Sequence, residues 1–314
     1  QTDWFQVGGP VPTALAVLTR FGRRTTFLGH WGDDPFGAMI EADFRDEGIG
    51  FSGSCCRTGL RSGFAHAWID ARTGQRTIAC SRAESPLSVE EVDEQLLARC
   101  GAVHLDGWPS EAAHYAARIV RKNGGTVFLD SGSPKPGMEQ LLPLVDVLNC
   151  PRRFLTQFLG HDDIPRGGQE LLARGPRMVT ITDGDNGAMM FTGAEQLTQP
   201  AFPVTAVDTT GAGDVFSGAI VHATLAGWSA DRTLKFAAAT AALKCAKLGN
   251  REALPCLDAV LRMIEACPTP ALQWYGAALP LSTSPLGNNP FNRVAEIDVE
   301  ALAAGDNEAA GVEA

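Results

Sequence analysis

Short apolar runs that alternate with amphipathic stretches constrain this chain more than any other feature. A helical pattern over 88–99 precedes the extended run 102–106, one over 110–123 precedes 126–130, and a short one near 137–143 precedes 145–149. Further helical stretches at 152–159 and 167–174 lead to an extended run at 178–182, and 188–192 is expected to begin an antiparallel edge. Apolar strands separated by amphipathic helices require a parallel sheet covered on both faces. Three of the strands end in a polar residue, Asp106, Asp130 and Asn149. The carboxyl ends of strands in an open parallel sheet face the ligand crevice, so these ends are candidate binding positions.

Two segments stand outside that alternation. Residues 63–70 and 75–80 are strand-like and joined across Ala71-Arg72-Thr73-Gly74, which predicts a β-hairpin outside the main sheet, a candidate lid. The second is Ala206-Val207-Asp208-Thr209-Thr210-Gly211-Ala212-Gly213-Asp214-Val215-Phe216-Ser217-Gly218. It reads as an extended segment, a glycine turn, and a helix from about 213 to 226. Unpaired N–H groups and a partial positive charge at such a helix start bind an anion without a basic side chain. Asp214, set among those amides, could take a proton from a hydroxyl attacking a phosphoryl group. An aspartate in the first turn is also favoured by the helix dipole alone, by ~0.3–1 kcal/mol.

The remaining elements are a helix after Gly8-Gly9-Pro10 that stops at Gly22, a short strand over 25–29, and a helix from Asp34-Pro35 to Glu47 that Gly48 ends. Asp34 and Pro35 read as N-cap and first helical residue. Helices over 230–247 and 256–267 follow the central turn, and beyond Pro268 repeated prolines and an acidic, alanine-rich end predict a tail.

The net charge of −10 and the lack of a Lys/Arg cluster exclude a nucleic-acid surface, and no apolar run reaches the ~18 residues of a membrane span. An anionic ligand must therefore be held locally, by amides or a metal. None of the eight cysteines forms C-x-x-C or has histidines at metal-ligand spacing, so they read as reduced thiols of a cytoplasmic protein.

The run from Asp208 to Gly218 resembles the signature of the ribokinase-like (PfkB) carbohydrate kinases. Gly8-Gly9, Gly32-Asp33-Asp34-Pro35-Phe36-Gly37, the inserted hairpin and Gly184-x-x-Gly187 match in the same order, over about residues 5–268. Thr13 and the run Ala241-Ala242-Leu243-Lys244-Cys245 are most similar to the branch containing sulfofructose kinase. The resemblance implies a three-layer α/β sandwich with a mostly parallel central sheet and a small β lid. Residues 1–50 and 84–268 would form the core, 51–83 the lid and 269–314 the tail. It implies a first strand bearing a sugar-gripping aspartate, which would precede Gln1, and a homodimer formed through the lid.

The resemblance also implies roles. Asp214 would be the base, and Gly211, Ala212 and Gly213 the anion hole. Asn149, Thr182, Gly184, Gly187 and Thr210 would line the ATP site. Gly8, Gly9, Thr13 and Asp214 would meet the sugar beneath the hairpin, with Phe64 or Trp68 as further contacts. Mg2+ would accompany ATP, and Asp208 would belong to a K+ site found in some relatives, although capping the turn explains that residue as well. Arg152 stands where relatives carry a glutamate that organises magnesium through water, and a cation there could contact phosphate. The implied reaction is transfer of the γ-phosphoryl of Mg-ATP to a ketohexose-like sugar. A nucleoside kinase and a relative that binds nucleotide or sugar without turnover remain open.

Overall fold

The computed structural model describes residues 5–69, 76–81 and 86–266. In chain order the elements are α1 (Pro10–Arg20), β1 (Thr26–Phe27), β2 (Trp31–Gly32), α2 (Pro35–Glu47), β3 (Gly50–Phe51), β4 (Cys56–Arg57), β5 (Phe64–Ile69) and β6 (Arg76–Ser81). They continue as α3 (Glu94–Arg99), β7 (Ala102–Leu105), α4 (Ser110–Lys122), β8 (Thr126–Asp130), α5 (Met138–Leu141), β9 (Val147–Pro151), α6 (Arg152–Leu159), α7 (Ile164–Leu172) and β10 (Met178–Thr182). The remainder are β11 (Ala188–Thr192), β12 (Gln196–Gln199), α8 (Ala212–Leu225), α9 (Ala230–Cys245) and α10 (Leu257–Ala266).

Six strands form the central sheet in the order β12-β11-β10-β9-β8-β7. Strands β7 to β10 run parallel, and β11 and β12 add antiparallel pairs at one side. Because successive side chains leave a strand on opposite faces, each strand feeds two cores. Phe128, Val147 and Met178 join α1, α8 and α9 in one, while Val127, Leu148 and Val179 join α4, α6 and α7 in the other. The result is the expected three-layer α/β sandwich.

Parity has a second consequence. On the α8 side the residues that follow Phe128, Val147 and Met178 at a spacing of two are Asp130, Asn149 and Thr180. The strand register sets Asn149 beside both Asp130 and Thr180. A row of three buried polar side chains therefore crosses the sheet beneath α8.

Several boundaries differ from the sequence expectation, each for a local reason. The helix expected over 88–99 is a short 3-10 turn at Val89–Glu91 followed by α3, because Val92 is extended and Asp93 opens a new helix by accepting from the Leu96 amide. The helix expected at 167 begins at Ile164, capped by Asp163. Helix α9 ends at Cys245, two residues short of the expectation, and the Cys245 carbonyl accepts from the amides of Val207 and Asp208.

The hairpin is present as β5 paired antiparallel to β6. Its turn residues 71–74 and the tail over 269–314 lie outside the described residues. Within the span expected for the lid, β3 and β4 pair instead with β1 and β2, in two small parallel sheets separate from the hairpin. Close packing of this segment explains the Gly32 to Gly37 run. A Cβ on Gly32 would lie 1.9 Å from the Leu60 carbonyl oxygen, and one on Gly37 would lie 1.8 Å from that of Gly32.

Candidate active site

The start of α8 is built by Gly211, whose φ of 77° lies in the left-handed region that favours glycine. A Cβ there would also meet Asn250 Oδ1 at 2.5 Å. The turn that follows leaves fewer donors than expected. The Ala212 amide donates to the Thr209 carbonyl at 3.2 Å, which removes it from the proposed anion hole. The amides of Gly211 and Gly213 donate to no backbone carbonyl among the described residues. Asp214 is half-buried in the first helical turn and lines a cleft of about 2640 Å³ together with Gly8, Gly9, Asp208, Thr210 and Gly211.

Beneath Asp214 lies the polar row of the sheet. Thr180 Oγ1 donates to Asn149 Oδ1 at 2.8 Å, and Asn149 Nδ2 donates to Asp130 Oδ1 at 3.4 Å. Burial, followed by the charge of Asp214, pushes the Asp130 carboxyl well above the usual carboxylate range. A carboxyl whose charged form is disfavoured therefore sits under the candidate base. Asn149 does not line the cleft: it is buried and its side chain is committed within the sheet.

Thr13 is likewise fully buried. Its hydroxyl accepts from Asn250 Nδ2 at 2.9 Å and from Arg251 Nη1 at 3.5 Å. Asn250 Nδ2 also donates to the Val7 carbonyl, and its amide donates to Gln6 Oε1. Thr13 thus ties α1 to the segment beside Gly211 rather than meeting the cleft.

Asp208 caps its own turn. Its Oδ1 accepts from the Thr210 amide at 2.8 Å and its Oδ2 from the Gly249 amide at 3.2 Å. The fully buried Lys244 ammonium lies 2.8 Å from the Asp208 carbonyl oxygen and 3.3 Å from Oδ2.

Thr182, Gly184 and Gly187 are not among the residues lining the cleft. They form a separate group at the carboxyl end of β10, where Gly184 is exposed and the Asp183 amide donates to the Gly187 carbonyl at 2.8 Å. Arg152, the residue expected to reach a phosphate, bridges this group to the loop after α6. It pairs with Asp183 Oδ2 at 3.3 Å and with Asp162 Oδ2 at 2.9 Å.

Before the hairpin, Asp34 caps α2 by accepting from the Gly37 amide at 2.8 Å. It also accepts from the Ser62 amide at 2.9 Å and the Ser62 hydroxyl at 2.7 Å. Phe64 at the base of the hairpin stacks on Phe36 with centroids 5.6 Å apart, and Trp68 is exposed further along the same strand. Of the residues that matter here, sequence reasoning gave no role to Ser62 or Asn250, and used Lys244 only as part of the run 241–245. Lys244 is a charged residue in an alanine-rich helix, the one signal that could have marked it.

Comparison with known proteins agrees with this arrangement. The profile of the pfkB family carbohydrate kinases matches residues 1–256. Fructokinase-1 of Zea mays is 28% identical over 292 residues, which span 82% of this chain and 88% of that protein. The ribokinase of Haemophilus influenzae is 26% identical over 268 residues, spanning 82% and 87%. The structure of Arabidopsis thaliana ribokinase complexed with ribose and ATP superposes with a TM-score of 0.72 at 26% identity, covering 82% of this chain and 87% of that one. With a sandwich, a separate β5-β6 hairpin and a glycine turn opening α8 over the sheet's polar row, the chain belongs to the pfkB family of carbohydrate kinases and is a sugar phosphotransferase.

Proposed function

We propose that this enzyme transfers the γ-phosphoryl group of ATP to a hydroxyl of a ketohexose-like sugar of the fructose or sulfofructose type. The observation that carries the reading is the position of Asp214, on the cleft wall in the same helical turn as the amides of Gly211 and Gly213. The fructokinase and ribokinase relatives support a sugar acceptor, and the ribokinase complex with ribose and ATP supports ATP as donor.

Asp214 takes the proton of the attacking hydroxyl at a carboxylate oxygen. The two amides and the positive end of α8 offset the charge that gathers on the transferring group. Such chemistry needs positioning and charge stabilisation more than covalent participation. Gly8 and Gly9 supply the cleft rim on the sugar side, and closure of β5 and β6 excludes water. Thr210 lies where the sugar and nucleotide sides meet, and Thr182, Gly184 and Gly187 form the nucleotide side.

Mg2+ neutralises phosphate charge when bound. Among the described residues no group of three or more His, Cys, Asp or Glu is disposed to hold a metal. The ion would be held through the nucleotide's own phosphates and water, as Mg2+ commonly is. The exposed Phe64, Trp68 and Ile78 of the hairpin support a homodimer through the lid, and the free thiols among the described residues support a cytoplasmic setting.

An ATP-consumption screen across a panel of ketohexoses, aldoses and nucleosides, run beside Asp214→Asn, tests the proposal. Sugar-dependent turnover is expected, reduced ~10²–10⁴-fold in the variant. ATP consumption that needs no sugar, or is equal in the two proteins, refutes it.

A further inference from the structure

Lys244 has 0% of its side chain exposed, and its Nζ turns to one residue, donating a hydrogen bond to the carbonyl of Asp208 and pairing with its carboxylate at 3.3 Å. A buried ammonium without partners is costly, so such a group persists where its charge is matched. Here the match is close to complete. Burial alone would raise the Asp208 carboxyl, yet the Thr210 and Gly249 donors and the Lys244 charge hold it below the usual range. The Asp208 carboxylate is therefore favoured in its charged form where Lys244 meets it.

The pair sits at one end of a clamp. The Cys245 carbonyl, next along α9, accepts from the Val207 amide at 2.7 Å and the Asp208 amide at 3.2 Å. Asp208 Oδ1 in turn fixes the Thr210 amide, one residue before the anion-hole turn at Gly211. A carbonyl oxygen and a carboxylate oxygen converging on one point are the ligands a hard monovalent cation takes. Here that point is filled by a cation covalently attached to the chain.

We infer that Lys244 is a built-in monovalent cation for the phosphoryl-transfer turn: a positioning residue whose ammonium holds Asp208 and thereby sets the amides after it, so that this kinase requires no potassium. The K+ site expected at Asp208 is replaced, since a tethered charge and a bound ion would compete for the same oxygens. The inference rests on the proposed kinase reading for its activity consequence, while the occupancy of the site by a cation can be tested without turnover.

The test compares the parent protein with Lys244→Ala and Lys244→Met in a buffer whose cation is tetramethylammonium, then with K+ or NH4+ added at about 100 mM. The parent is expected to keep its turnover and melting temperature within about twofold and about 1 °C on addition. Each variant is expected to lose roughly 10–100-fold in kcat with a smaller change in sugar KM, as for loss of a group that orients a site. Added NH4+ or K+ should restore at least tenfold of that loss and raise the variant's melting temperature. Activation of the parent by K+ overturns the inference. So does a variant with undiminished kcat in tetramethylammonium buffer, or a pair of variants that neither cation stabilises. If no protein turns over sugar, the kinase reading fails. The melting series still decides whether a small cation takes the place of the ammonium.

Discussion

Replacing Gly211 by alanine tests the proposed anion hole. The residue has φ of 77°, a conformation that costs an alanine roughly 1–2 kcal/mol. The new methyl would lie 2.5 Å from Asn250 Oδ1. Asn250 can retreat only by loosening its bonds to the Val7 carbonyl and to Thr13 Oγ1, both 2.9 Å, each contributing about 1 kcal/mol. The expected destabilisation is therefore about 2–4 kcal/mol, within the ~5–15 kcal/mol that a domain possesses, so the variant should fold. Its turn will be displaced, and loss of one well-placed donor costs roughly 10²–10³ in kcat. Urea unfolding followed by ATP-consumption kinetics at saturating sugar measures both effects. Adding Asn250→Ala removes the clash but not the unfavourable φ, so it should recover little of the rate. A folded Gly211→Ala protein with kcat within about threefold of the parent would refute the assignment of this turn.

Asp214→Asn should retain ATP binding by calorimetry while turnover falls ~10²–10⁴-fold, and a matching loss of binding would count against a role as base. Near the base of the hairpin, Asp34→Ala removes a helix cap and both Ser62 bonds, an expected cost of about 2–3 kcal/mol read by urea unfolding. If the hairpin closes on sugar, this variant should raise sugar KM more than it lowers kcat. His222 gives a pH signature. Burial, then the neighbouring Arg23 guanidinium, lowers its pKa to about 4, and the neutral ring accepts from Arg23 Nε at 3.4 Å. Since the folded value lies below the unfolded ~6.5, the unfolded chain binds the proton first as pH falls. The stabilisation, of order 3 kcal/mol, is complete above pH ~6.5 and lost toward pH 4. His222→Phe should flatten the stability profile across that window, and an unchanged slope would contradict the assignment.

Legibility from the residues varied by the range of the interactions involved. The strand Thr126–Asp130 and the helix Arg152–Leu159 appear where periodicity placed them, and Asp34 with Pro35 opens α2 as its residue types require. Asn149 shows the opposite case. Its type and its place at a strand end suggested a ligand contact, yet strand register gives its side chain to Thr180 and Asp130, 31 and 19 residues away in sequence. The family resemblance implies that Thr13 meets the sugar, but its hydroxyl is bound to Asn250 across 237 residues.

By itself, then, the order of residues determined what depends on neighbours within a turn or a strand: element types, caps, the hairpin, and an acidic helix start preceded by glycines. Only the tertiary structure decided which of those polar groups meet solvent in the cleft and which pair internally. Pairing is set by strand register and helix docking, and these join segments whose separation along the chain leaves no local trace. The Lys244–Asp208 contact, spanning 36 residues, is such a case: buried charge must find its opposite, but only the packed chain specifies which one.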